Sequence, residues 1–138
     1  MNNANFLGRY KDGKSQTVFE HLNGVSELCE NFLEQFNNSD WGTVLGLLHD
    51  LGKYNDDWQE YIRKCNNLIE NKESEIVKID HSSAGGIYAF QKFSEIGKII
   101  AYCIIGHHGG LPDCVNNPDL NDNKTSLQER LIKTYLVN

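Results

Sequence analysis

Apolar residues recur at helical spacing along most of the chain. Between 17 and 36 they fall at Val18, Leu22, Val25, Cys29, Phe32 and Phe36, in steps of three and four. Thr17 followed by Glu20 forms a capping box at the start of that helix. A second helix is expected over 40–53, with Trp41, Val44, Leu45, Leu48 and Leu51 inward and Ser39 or Asp40 as cap. The stretch 56–69 is amphipathic around Trp58, Tyr61, Ile62 and Leu68, and 70–79 reads as a polar loop. Asp80 can cap a helix through Ala84, Ile87, Tyr88 and Phe90. Gly85 and Gly86 inside it predict close packing against another backbone.

Residues 95–107 are apolar on one side (Ile96, Ile99, Ile100, Cys103, Ile104), the pattern of a central buried helix. Gly109, Gly110 and Pro112 stop it. After a polar loop, Thr125 with Gln128 or Ser126 with Glu129 restarts a helix with the stripe Leu127, Leu131, Ile132 and Tyr135. That stripe is still running near Asn138, so the chain is expected to be a C-terminally truncated single domain, residues 1–138. The fold expected is an all-α helical bundle.

Composition narrows the class. At 138 residues, 39 % apolar and with only 2 prolines, the chain has a globular make-up. The longest near-apolar run, 99–105, is too short to span a bilayer, so no membrane partner is expected. Four scattered cysteines and no secretory signal point to reduced thiols in a cytoplasm. Cys29 and Cys103 lie on apolar stripes and read as core residues, as do Trp41 and Trp58. A net charge of −6 gives no overall basic field for nucleic acid, so metal ions or a partner must supply positive charge.

All five histidines, His21, His49, His81, His107 and His108, fall at expected helix ends or on inward faces. Taken singly, each has a plain reading: His21 as a hydrogen-bonded core residue, Lys53 as a helix C-terminal partner, His107–His108 as a C-cap pair. Taken together with Asp50, they point to metal. Their wide spacing excludes a zinc finger and fits ligands projecting from several helices into a bundle core. Imidazole and carboxylate suit Mn, Fe, Co, Ni or Zn. One Asp can bridge two cations, and two cations roughly 3.5–4 Å apart can clamp the attacking and leaving oxygens of a phosphodiester. Lys53 lies on the expected helix face of His49 and Asp50, where it could hold a phosphate oxygen.

The stretches Trp41-Gly-Thr-Val-Leu-Gly-Leu-Leu-His-Asp-Leu-Gly-Lys53, Asp80-His-Ser-Ser-Ala-Gly85 and Gly106-His-His-Gly-Gly-Leu-Pro-Asp113 resemble the HD nuclease domain of type I CRISPR interference. The HD-x-x-K element is common to the HD phosphohydrolase superfamily, and the other two are more specific to the CRISPR branch. The resemblance implies an HD-domain helical bundle with a metal site in its core. It implies metal ligation by His21, His49, Asp50, His81, His107 and His108, with Asp50 bridging two divalent ions (Mn, Mg, Ni, Co, Fe or Zn), and a scissile-phosphate contact for Lys53. The activity implied is metal-dependent cleavage of single-stranded DNA in antiviral defence. The implied partners are a helicase domain, in the same or a separate chain, and an RNA-guided CRISPR surveillance complex. The family's further ligating Asp on a late helix has no clear match here. No G-x-x-x-x-G-K-[ST] element is present, so no helicase domain is expected in these residues. The alternatives are an HD phosphohydrolase acting on a small nucleotide and an inactive truncated module.

Overall fold

The computed structural model describes residues 6–70, 77–115 and 126–132. It is helical, as the periodicity expects, except for an N-terminal hairpin that the pattern of apolar residues does not announce. Strands β1 (Leu7–Lys11) and β2 (Lys14–Thr17) pair antiparallel, Arg9 opposite Gln16 and Lys11 opposite Lys14. Asp12 (φ 52°) and Gly13 (φ 76°) make the turn, the backbone conformation for which Asp-Gly is selected. The chain then enters α1 (Val18–Glu34) through the expected capping box: Thr17 Oγ1 accepts from the Glu20 N–H, and Glu20 accepts from the Thr17 N–H.

Helix α2 (Ser39–Leu48) ends earlier than the sequence suggests. His49 closes it, Asp50 leaves helical geometry (φ −120°), and a 3-10 turn, Leu51–Tyr54, follows. Asn38, rather than Ser39 or Asp40, occupies the cap position, without a side-chain bond. Helix α3 (Asp56–Cys65) is capped by Asn55, whose Oδ1 accepts from Asp57 and Trp58 N–H groups, and it stops four residues short of the expected Ile69. Helix α4 (Ser82–Gly106) breaks at Ser94 (φ 53°) into two arms that pack on each other: Gly86 faces the Ile105 side chain and Gly97 faces the Ala89 carbonyl. The short α5 (Leu127–Ile132) starts from the Ser126–Glu129 box, while Thr125 and Tyr135 lie outside the described residues.

The core joins Ala89, Ile100 and Ile104 of α4 to Trp41, Val44, Leu45 and Leu48 of α2. Close backbone approach is what allows it. A Cβ at Gly46 would strike the α1 backbone at Ser26, and one at Gly85 would strike the Leu48 carbonyl. The α1 face turned inward is therefore Val18, Leu22 and Ser26. This corrects the placement of Phe32 and Phe36, which are 65 % and 62 % exposed. The same holds on the second arm of α4: Gly97, Ile100, Ala101, Ile104 and Ile105 are buried, whereas Ile96, Ile99 and Cys103 are exposed. In both helices small residues, Ser26 in one and Gly97 and Ala101 in the other, share the contact face with part of the apolar stripe. The four cysteines are free, as expected, but Cys65, Cys103 and Cys114 are exposed. Among the described residues no helix is long and apolar enough to cross a membrane.

Candidate metal centre

The helix break after Leu48 sets Asp50 at the middle of the fold. Its side chain is 3 % exposed, and both its oxygens face cationic or nitrogen donors. Oδ2 lies 2.7 Å from Lys53 Nζ, 2.9 Å from His21 Nε2 and 3.2 Å from His49 Nε2. Oδ1 lies 3.3 Å from His107 Nε2, 3.4 Å from His81 Nε2 and 3.7 Å from His108 Nε2. Residues from α1, the end of α2, the start of α4 and its C-terminal end thus converge on one carboxylate. Every residue singled out in the sequence is brought together. The route differs for Lys53, which reaches Asp50 from a 3-10 turn rather than from a continuous helix face.

Local bonds fix how the rings present themselves. His49 Nδ1 lies 2.7 Å from the Gly46 carbonyl, His107 Nδ1 2.6 Å from the Ile104 carbonyl, and His81 Nδ1 3.3 Å from the Ile79 carbonyl. A carbonyl only accepts, so Nδ1 carries the proton in each, and a neutral ring presents a bare Nε2. The Nε2 atoms of the cluster face carboxylate oxygens and one another: His21 and His49 Nε2 are 3.3 Å apart, His81 and His108 Nε2 2.8 Å. Lone pairs facing lone pairs repel unless a proton or a metal cation lies between them. Carbonyl-to-Nδ1 bonds of this kind are also the outer-shell support that orients ligating histidines.

Whether the residues fit a metal is answered by Asp50 itself. Its Oδ1 is buried and makes no hydrogen bond, a costly state for a carboxylate oxygen. The donors fall into two sets that share it: His21, His49 and Asp50, and Asp50, His81, His107 and His108, with ligand atoms within 4.8 Å of one another in each. Nitrogen and carboxylate oxygen donors suit a divalent transition ion. The donor set fits.

Titration follows the same geometry. Burial raises the Asp50 pKa, but His107, His21, His49 and Lys53 outweigh it and hold the carboxyl far below its ordinary range. Burial lowers the pKa of His81 and of His108, favouring the neutral, ligating ring. Burial opposes charge on His107 too, but its contacts with Asp50 and the Ile104 carbonyl prevail and raise its pKa.

Three supports escaped the sequence reading. Gly52 N–H donates to the His81 carbonyl at 3.2 Å, tying the His49–Asp50 turn to the backbone of His81. Gln59, buried in α3, accepts from the Leu7 N–H (2.8 Å) and donates to the carbonyls of Leu7 (3.0 Å) and Lys53 (2.7 Å). Arg130 of α5 reaches back to the start of α4, meeting Asp80 Oδ2 at 3.1 Å, Ser82 Oγ at 3.0 Å and Ser83 Oγ at 2.9 Å. His81 rather than Asp80 occupies the cap position of α4, but Asp80, one residue earlier, supplies the capping bonds, its Oδ1 accepting from the Ser82 and Ser83 N–H groups. Burial raises the Asp80 pKa, but the Ser83 hydroxyl and the Arg130 charge overcome it and hold the carboxyl well below its usual range. The sequence carried no cue for these three, because each joins residues far apart along the chain.

A helical domain whose core gathers a His–Asp pair and four further histidines around one buried carboxylate is of the HD metal-dependent hydrolase class. The family model described as Cas3, HD domain matches residues 15–135, and the chain belongs to that family. Membership carries the coarse function, a metal-dependent HD hydrolase of CRISPR systems. No curated protein matches the chain.

Proposed function

We propose that the chain is a nuclease that hydrolyses the phosphodiester bonds of single-stranded DNA in CRISPR antiviral defence. The observation that carries this reading is the pair of donor sets on the two oxygens of Asp50. Two divalent ions held there would clamp the attacking and leaving oxygens of a phosphodiester and acidify a water. His21 and His49 would hold one ion and His81, His107 and His108 the other, with Asp50 shared between the two sets. Any of Mn, Mg, Ni, Co, Fe or Zn is compatible with this mixture of donors.

Lys53 is the phosphate contact. Its ammonium donates to the Gly8 carbonyl at 3.1 Å and pairs with Asp50, so one of its three N–H groups is left for a substrate oxygen. The Trp58 ring lies 5.1 Å from Nζ, within cation–π distance of the ammonium. The surroundings proposed are a cytoplasm, a helicase domain in the same or a separate chain, and an RNA-guided surveillance complex. Residues 1–138 then act as a single HD-type nuclease domain.

Cleavage of circular single-stranded DNA with Mn²⁺, beside an EDTA control and Asp50→Ala, tests the reading. A circle has no ends, so a cut reports endonuclease action directly. Metal-dependent cutting that Asp50→Ala abolishes is the expected result. An intact circle together with hydrolysis of a nucleoside phosphate would move the substrate to small nucleotides.

A further inference from the structure

The hairpin carries a charge pattern that the metal centre does not use. Arg9 and Lys11 alternate along β1 with buried Gly8 and half-buried Tyr10, so both project from the outer face. Lys14 stands directly across from Lys11, and cross-strand partners share a face. Arg9, Lys11 and Lys14 are all exposed, and none makes an ion pair among the described residues. Two lysines directly opposite repel each other. In a chain of net charge −6 such clustering runs against the overall balance. Asp12 is the one acid of the hairpin and sits in its turn.

This face is fastened to the site. The Gly8 carbonyl, next to Arg9, accepts from Lys53 Nζ at 3.1 Å, and Gln59 clasps Leu7 through both its N–H and its carbonyl. A strand rises about 3.3 Å per residue, which puts Lys11 about 10 Å along from the Gly8 anchor. Strand β1 also precedes the stretch that the family model matches. We infer that the outer face of the hairpin, through Arg9, Lys11 and Lys14, binds the phosphodiester backbone of a nucleic-acid strand whose scissile phosphate lies at Lys53 and Asp50. The inference rests on the nuclease reading and adds to it a surface that separates a polymer from a small nucleotide. Charge complementarity selects the occupant: three exposed cations, without acid partners among the described residues and on a hairpin tied to Lys53, match a repeating polyanion.

Anisotropy of fluorescent oligothymidine, titrated with the full chain in EDTA across a range of salt, reads this surface without cleavage. Single-strand affinity falls with salt at a slope of about 0.7 per phosphate neutralised. Lys11→Gln with Lys14→Gln is expected to reduce that slope by about 1.4, and adding Arg9→Gln by about 2 in all. Lys92→Gln with Lys98→Gln, an equal change of charge on exposed residues of α4, is expected to leave it unchanged. Melting no lower than wild type shows that the hairpin variants still fold, since they relieve the Lys11–Lys14 repulsion. Equal slopes in wild type and hairpin variants, an equal effect of the α4 pair, or no binding by wild type at low salt would each overturn the inference. The circle assay fails separately: a chain that binds through the hairpin but cuts nothing overturns the nuclease reading alone.

Discussion

The two oxygens of Asp50 live in different surroundings. On the Oδ2 side, Lys53 and His21 approach within hydrogen-bonding distance, at 2.7 and 2.9 Å, and the protein's own ammonium neutralises the charge. On the Oδ1 side three imidazoles stand off at 3.3–3.7 Å, none bonded to it, and His108 is 52 % exposed. One side is closed and carries the ammonium of Lys53, while the other is more open and lacks a lysine or arginine partner among the described residues. An ion from solvent is therefore expected to reach the Oδ1 set first, and a cation at the Oδ2 set would have to compete with Lys53.

Asp50→Ala removes what the two sides share. Both ions are expected to be lost, and cleavage to fall on the order of a thousandfold or more. Retained activity would dissolve the comparison. Single-side variants sharpen it. His81→Ala should weaken Mn²⁺ binding at the tighter step by at least about tenfold, and His21→Ala should affect the weaker step instead. Calorimetric titration separates the two steps, and identical traces from the two variants would mean the sides are not distinct.

Arg130→Ala acts on the open side from behind, through Asp80 and the start of α4 that carries His81. A loss of about 2 kcal/mol in unfolding free energy is expected from denaturant titration, since bonds to a charged group are removed. That difference should depend on pH. The Asp80 pKa is lowered in the folded state, so its stabilisation is full above the ordinary carboxylate value near 4 and drains away as the pH falls below it. Wild type and variant should converge in acid and diverge toward neutrality. The smallest effect is expected far from the site. Phe32→Ser should change stability by less than about 0.5 kcal/mol, because Phe32 is exposed rather than in the core. A core-sized loss would restore the inward stripe suggested by periodicity alone.

The candidate site was the more legible part of this chain. His21, His49, Asp50, Lys53, His81, His107 and His108 could be picked out because polar residues at inward helical positions stand out against an apolar background. Helix starts were legible through a different signal, the capping side chains of Thr17, Asp80 and Ser126. The register of burial was not. Ser26, Gly46 and Gly85 face inward because backbones approach there, and a hydropathy pattern that rewards size points instead to Phe36 and Ile99. The hairpin was missed because its strands are short and polar, leaving Asp12–Gly13 as the one cue. Arg130 and Gln59 act across long sequence separations, which no local pattern encodes.

The central claim is that one carboxylate joins two cation positions. Anomalous diffraction from crystals grown with Mn²⁺ tests it most directly. Two peaks are predicted, one in contact with each oxygen of Asp50, with His21 and His49 on one and His81, His107 and His108 around the other. A single peak, or two peaks of which only one touches Asp50, would contradict the account.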